Sequence, residues 1–114
     1  GVWVLREKDG SELIGRAVLR YLPLEGRREV EVGFALYSRF WGQGLATEVG
    51  NACAAIAWND LGVESLVGLT TLANRASQRV LLKMGLHYER EVMIDETPCS
   101  LYRGAAPTSN AAGR

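Results

Sequence analysis

Apolar and polar residues alternate most regularly between Glu29 and Leu36. Val30, Val32, Phe34 and Leu36 fall on one side, and Glu29, Glu31, Gly33 and Ala35 on the other. That two-residue period marks a strand. Past it the period changes. Leu45, Val49, Cys53 and Ile56 recur at helical spacing along one face, and Gly62 supplies a C-terminal stop. Between strand and helix lies Trp41-Gly42-Gln43-Gly44-Leu45-Ala46. The segment therefore reads as strand, glycine-bearing loop, helix.

The remaining pattern fits around this unit. Val2–Arg6 and Leu13–Leu22 read as strands joined by a tight turn at Asp9-Gly10, with Gly15 marking a bulge and Pro23 ending the second strand. Glu29–Leu36 completes an antiparallel meander. Val63–Thr71 is a fourth strand, which a right-handed crossover lays parallel to Glu29–Leu36. Asn74 is placed to cap a second helix, with Ser77, Val80, Leu81 and Met84 on one face and Gly85 at its end. Arg75, Arg79 and Lys83 make a basic row on that helix, read largely as a solvated face. Glu89–Asp95 and Ser100–Arg103 are expected to close as a hairpin around Glu96-Thr97-Pro98. The order β-β-β-α-β-α-β-β predicts an α/β fold of the mixed-sheet, α+β kind, in one domain over 1–103. The small, polar segment 104–114 reads as a disordered tail.

Composition narrows the function classes. Thirteen basic and thirteen acidic residues cancel over 114 residues, so no net field draws the chain to nucleic acid or an anionic membrane. No apolar run approaches the roughly 18 residues of a membrane helix, and no signal peptide is visible; a cytoplasmic location is expected. One His and two Cys give no metal-ligand set, and Cys53 and Cys99 read as structural.

The loop carries the chemistry. The free N–H groups and partial positive charge of a helix's first turn face such a loop, and glycines let ligand oxygens approach the backbone. This suits phosphates; a bare tight turn fits the same residues. The sequence has no G-x-x-x-x-G-K-[ST], and Ala46 follows Gly44 too closely for the dinucleotide G-x-G-x-x-G pattern.

Trp41-Gly42-Gln43-Gly44-Leu45-Ala46 resembles the acetyl-CoA motif of the GCN5-related N-acetyltransferase (GNAT) superfamily, Gln/Arg-x-x-Gly-x-Gly/Ala, with Gly44 and Ala46 matching and Trp41 standing at the first anchor. Asn74-Arg75-Ala76-Ser77, followed by Lys83-Met84-Gly85-Leu86, resembles a second block of the RimJ/RimL-like branch. The resemblance spans about residues 2–103 by the element order. It implies a GNAT-like acyl-CoA N-acyltransferase fold that lacks the family's N-terminal strand and helices, so that the chain, which begins with Gly, is expected to be a fragment or to have that sheet region covered otherwise. It further implies acetyl transfer from acetyl-CoA to a primary amine, on a small molecule or a peptide, by direct attack. Ala35, Leu36 and Tyr37 would pair with the pantetheine amides, Trp41 through Ala46 would hold the pyrophosphate, and Asn74 would contact the cofactor. Glu31, in Glu31-Val32-Gly33-Phe34-Ala35-Leu36, matches the family's base acting through water, with Glu29 in reserve; both also read as ordinary strand glutamates. Ser77 matches the proposed hydrogen-bond donor to the thiolate, or simply a residue capping the helix. Leu81 stands where many members carry Tyr. A homodimer, side by side or domain-swapped, is expected, since the exposed edge strands and the missing N-terminal part both invite a partner. A CoA-binding module without catalysis, and a ligand-free interaction domain, are the alternatives.

Overall fold

The computed structural model describes residues 1–107. Six strands form one sheet in the order β1-β2-β3-β4-β6-β5. They are β1 (Val2–Arg6), β2 (Leu13–Leu24), β3 (Arg27–Leu36), β4 (Ser65–Thr71), β5 (His87–Ile94) and β6 (Thr97–Ala105). Helix α1 (Leu45–Asn59) links β3 to β4, and α2 (Arg75–Lys83) links β4 to β5. The β3–β4 pair is parallel and the others are antiparallel. The predicted element order and the parallel crossover are both present.

Alternation decides which face each residue takes. Ala17, Leu19, Val30, Val32 and Leu66 pack with Cys53, Ala54 and Ala57 of α1 and Leu81 of α2 into the main core. A smaller cluster of Leu24, Val67, Val92, Cys99 and Leu101 lies on the opposite face and contains no helical residue. Glu29 and Glu31 alternate with Val30 and Val32, so they belong to this helix-free face.

Several boundaries differ from the expectation. Pro23 does not end β2, which continues to Leu24. The register of β1 on β2 stops at Val18, so the edge beside Pro23 is open and its missing N–H costs no ladder bond. The bulge beside Gly15 sits at Ile14, which the β1 register skips between Leu5–Gly15 and Arg6–Leu13. Gly15 itself serves close packing: a Cβ there would overlap the Ala35 carbonyl oxygen and lie 2.8 Å from Leu36 Cα. The last hairpin turns at Asp95-Glu96, both at positive φ (48° and 69°), so Thr97 and Pro98 belong to β6. Strand β6 also takes in Gly104 and Ala105, two residues assigned to the tail by the sequence; residues 108–114 of that segment lie outside the described residues.

An ion-pair network fastens the far end of the helix-free face. Arg103 on β6 grips Glu29 on β3 with two bonds, Nη1–Oε1 at 2.9 Å and Nη2–Oε2 at 3.0 Å. The same guanidinium donates to Ser65 Oγ at 2.9 Å and to Glu89 Oε1 at 2.7 Å. Glu29 is nearly buried, at 8% exposure. The Arg103 hydrogen bonds hold its carboxyl, and that of Glu89, below the usual carboxylate range against the opposing effect of burial.

Replacing Gly15 with Ala is expected to lower stability by about 2 kcal/mol through overpacking, read as a lower midpoint in chemical denaturation. Because Glu29 has a depressed folded pKa, its contribution is complete above the unfolded value of about 4.3 and is lost as pH falls through the folded value. Arg103→Met should therefore cost about 2 kcal/mol near neutral pH. The gap from wild type should narrow below about pH 4; an equal gap at pH 7 and pH 3.5 would contradict this assignment.

Candidate active site

Strands β3 and β4 meet in a single register pair, Glu31 with Val67. Beyond it β3 runs on from Val32 to Leu36 with no partner on that side, so a gap opens toward the C-terminal ends of both strands. On its other edge β3 stays paired to β2 through Leu36. Tyr37 N–H donates to Ile14 O at 2.9 Å, and Tyr37 O accepts from Phe40 N–H at 2.9 Å. Backbone groups in an antiparallel pair alternate in direction. Ala35 shares the orientation of Tyr37, toward β2, whereas Phe34 and Leu36 turn toward the gap. Of the three residues expected to pair with an extended ligand, only Leu36 faces the opening. Phe34, which the sequence pattern assigned to the core alone, joins it.

The loop after β3 is tightly tied. A 3₁₀ turn at Ser38–Phe40 leads out of the strand. The Trp41 indole Nε1 donates to Leu36 O at 3.0 Å, and Gln43 Nε2 donates to Arg39 O at 3.1 Å. Trp41 thus latches the loop to the end of β3, and the residue remains 68% exposed. Gly42 (φ 75°) and Gly44 (φ 77°) take the left-handed conformation that brings the chain round to α1. Gly44 is the N-cap and has no side chain to offer. The first helical bond comes at Glu48 N–H, to Gly44 O at 3.1 Å. The N–H groups of Gly42, Gln43, Gly44, Leu45, Ala46 and Thr47 have no acceptor among the described residues. These consecutive donors, with the helix dipole behind them, suit an anion of several oxygens.

Across the gap, Asn74 caps α2 as expected, its Oδ1 accepting from Ser77 N–H at 3.1 Å. Ser77 is therefore the capped residue, and its half-buried hydroxyl has no hydrogen-bond partner among the described residues. Leu81 is buried against Gly68 of β4 and carries no proton to give.

Glu31 is 7% exposed and pairs with Arg20 Nε at 2.7 Å. It lies on the helix-free face where the gap begins, and Ser77 belongs to a helix on the other face. The two candidates thus lie on opposite faces of the sheet, and the β3–β4 gap is the opening between those faces. Glu29, the reserve candidate, is committed to Arg103. Arg20 and Arg103 were missed by sequence reasoning. A signal existed for Arg20: Glu25 and Gly26, both at positive φ, make a two-residue turn. Counting outward from that turn puts Arg20 opposite Glu31.

Comparison with known proteins agrees with this geometry. The family model described as "Acetyltransferase (GNAT) domain" matches residues 1–87. An uncharacterized N-acetyltransferase of Bacillus subtilis, YoaA, is 32% identical over 87 residues, which cover 76% of this chain and 49% of the relative. The ribosomal-protein-S5-alanine acetyltransferase structure from Vibrio fischeri superposes with a TM-score of 0.80 at 17% identity, covering 92% of this chain and 61% of that one. An aminoglycoside acetyltransferase, AAC(6')-Ib in complex with coenzyme A, gives 0.79 at 20% identity, with coverages of 91% and 65%. At such identities these structures speak for the fold. The chain spans about half the length of the curated relatives it matches. With its split sheet, its donor-lined loop and a family match over most of its length, the chain belongs to the GNAT acetyltransferase domain family.

Proposed function

We propose that the chain transfers an acetyl group from acetyl-CoA to a primary amine. The observation that carries this reading is the run of unpaired N–H groups from Gly42 to Thr47 beside the β3–β4 gap. Acetyl-CoA supplies the activated acyl group and a phosphate-bearing handle. The loop donors hold its pyrophosphate, and the gap-facing groups of Phe34 and the Leu36 N–H pair with its amides or polarise the thioester carbonyl. Asn74, at the mouth of α2, offers its amide as a further contact.

Glu31 accepts the proton of the incoming ammonium through a water molecule. The amine nitrogen then bonds to the acyl carbon as the C–S bond breaks, and the electron pair leaves with sulfur. The acylated nitrogen releases its second proton to solvent, and the departing sulfur, hydrogen-bonded by Ser77, takes one from solvent. Arg20 fixes the Glu31 carboxylate on the strand, and it shifts toward solvent when the ammonium arrives; at 59% side-chain exposure it has room to move. The acceptor approaches over the helix-free face, since the helices cover the other.

The second reading, a CoA-binding module without catalysis, is favoured by one residue. Leu81 occupies with an apolar, buried side chain the position where the resemblance expects a Tyr acid. The RimJ/RimL-like assignment rests on Trp41-Gly42-Gln43-Gly44 and on Asn74 through Ser77. Two buried, free cysteines, Cys53 and Cys99, suit a reducing cytoplasm. The edge strand β1, with Val2 and Val4 exposed, suits a homodimer formed by strand addition or exchange.

Calorimetric titration with acetyl-CoA tests the cofactor site. Wild type should bind, Gly44→Glu should lose binding through charge repulsion at the loop, and Gly44→Ala should report the backbone strain alone. Binding unaltered by the glutamate would remove the loop from the reading. For Glu31→Gln, we expect kcat on an amine panel to fall about a hundredfold with acetyl-CoA affinity unchanged. Tight binding without any CoA-thiol release in wild type would favour the second reading.

A further inference from the structure

We infer that Arg16 selects the acceptor, and that the acceptor is a primary amine bearing a carboxylate a few bonds from its nitrogen. This inference rests on the transferase reading and adds a substrate class to it. Arg16 stands opposite Ala35, Val18 opposite Gly33, and Arg20 opposite Glu31. Paired residues of an antiparallel ladder share a face, so all six lie on the helix-free face beside the gap. Gly33 and Val18 form a low floor between the two arginines; a Cβ on Gly33 would come within 3.1 Å of Val18 Cγ1.

Charge pairing on this face is selective. Glu31 is matched by Arg20 and Glu29 by Arg103. Farther along the sheet, Glu25 is matched by Arg90 at 2.8 Å. A second ammonium on a polycationic acceptor finds Glu29 and Glu25 already occupied by guanidinium groups. Arg16 is exposed and has no hydrogen-bond or ion-pair partner among the described residues. Its cross-strand neighbours, Val4 on β1 and Ala35 on β3, offer it no acceptor. The Arg16 and Glu31 rows are four residues apart in register, a span of about 13 Å at strand rise. A guanidinium on its long stem shortens that span to a few bonds of substrate. With the amine at Glu31, a carboxylate reaches Arg16 and forms the forked pair that guanidinium favours.

The test uses two matched pairs, β-alanine with β-alaninamide and 4-aminobutyrate with its amide. Equilibrium binding to the CoA-loaded protein and kcat/KM for acetyl transfer are both measured, for wild type, Arg16→Gln and Arg16→Lys. Wild type should favour each acid over its amide. Arg16→Gln should lower affinity and kcat/KM for the acids roughly tenfold and leave the amides unchanged; Arg16→Lys should fall between. Comparing variants on the same acceptor cancels differences in amine basicity. An acid-to-amide ratio that Arg16→Gln leaves unchanged, or no preference for the acids in wild-type binding, overturns the inference while any turnover keeps the transferase reading. An Arg16-dependent preference in binding with no turnover supports Arg16 as the carboxylate contact and overturns the transferase reading, the bound amine then being a ligand and not an acceptor.

Discussion

The site depends on a failure of two strands to stay together. β3 and β4 are neighbours in a parallel arrangement, and one register pair joins them before they part. A sheet interior does not ordinarily leave backbone donors and acceptors unmatched, because each orphaned group costs free energy when water is excluded. Here the unmatched backbone groups of Phe34 and the Leu36 N–H open toward the loop whose own N–H groups are also free, Leu36 O being taken by the Trp41 indole. Strand edge and helix start together amount to an unfilled hydrogen-bonding surface, and a ligand rich in amides and phosphate oxygens complements it. Side chains contribute little to that complementarity, which is why glycines and a left-handed turn matter more there than charged residues.

Around this gap the charged side chains divide their tasks. Arg103 is embedded in a network that joins β3, β4, β5 and β6, and its contacts are structural. Arg20 meets the other buried glutamate by a single 2.7 Å bond and is itself largely in water. A bidentate, nearly buried pair resists rearrangement, whereas a monodentate pair at the surface exchanges partners readily. Two glutamates on one strand face, alike in burial, are distinguished by the geometry of their arginines.

The strands of the meander, both helices, the Asn74 cap and the parallel crossover were legible because each follows from local rules: period, capping and handedness. Less legible were features set by pairing. Pro23 reads as a terminator, yet it fits an open edge that only the short register of β1 reveals. Asp95-Glu96 lacks the glycine of a favoured two-residue turn, and the strands on either side hold both residues at positive φ. Glu29 and Glu31 were equivalent as letters in an alternating string. Arg103, far along the chain from Glu29, distinguishes them, and no local pattern announces a contact of that range.

The Glu25-Gly26 turn has a role beyond reversing the chain. By joining β2 to β3 with two residues, it fixes which residues face each other along the whole ladder. A strand that slips by one residue presents its opposite side. One insertion or deletion at that turn would put Glu31 among the apolar residues beneath the helices and Val30 or Val32 in its place. Arg20 would lose its counterpart. In this lineage, then, the length of a surface hairpin at the opposite end of β3 from the glycine-bearing loop is as constrained as the pairing of Glu31 with Arg20 that it sets, and indels should be rarer there than solvent exposure alone suggests.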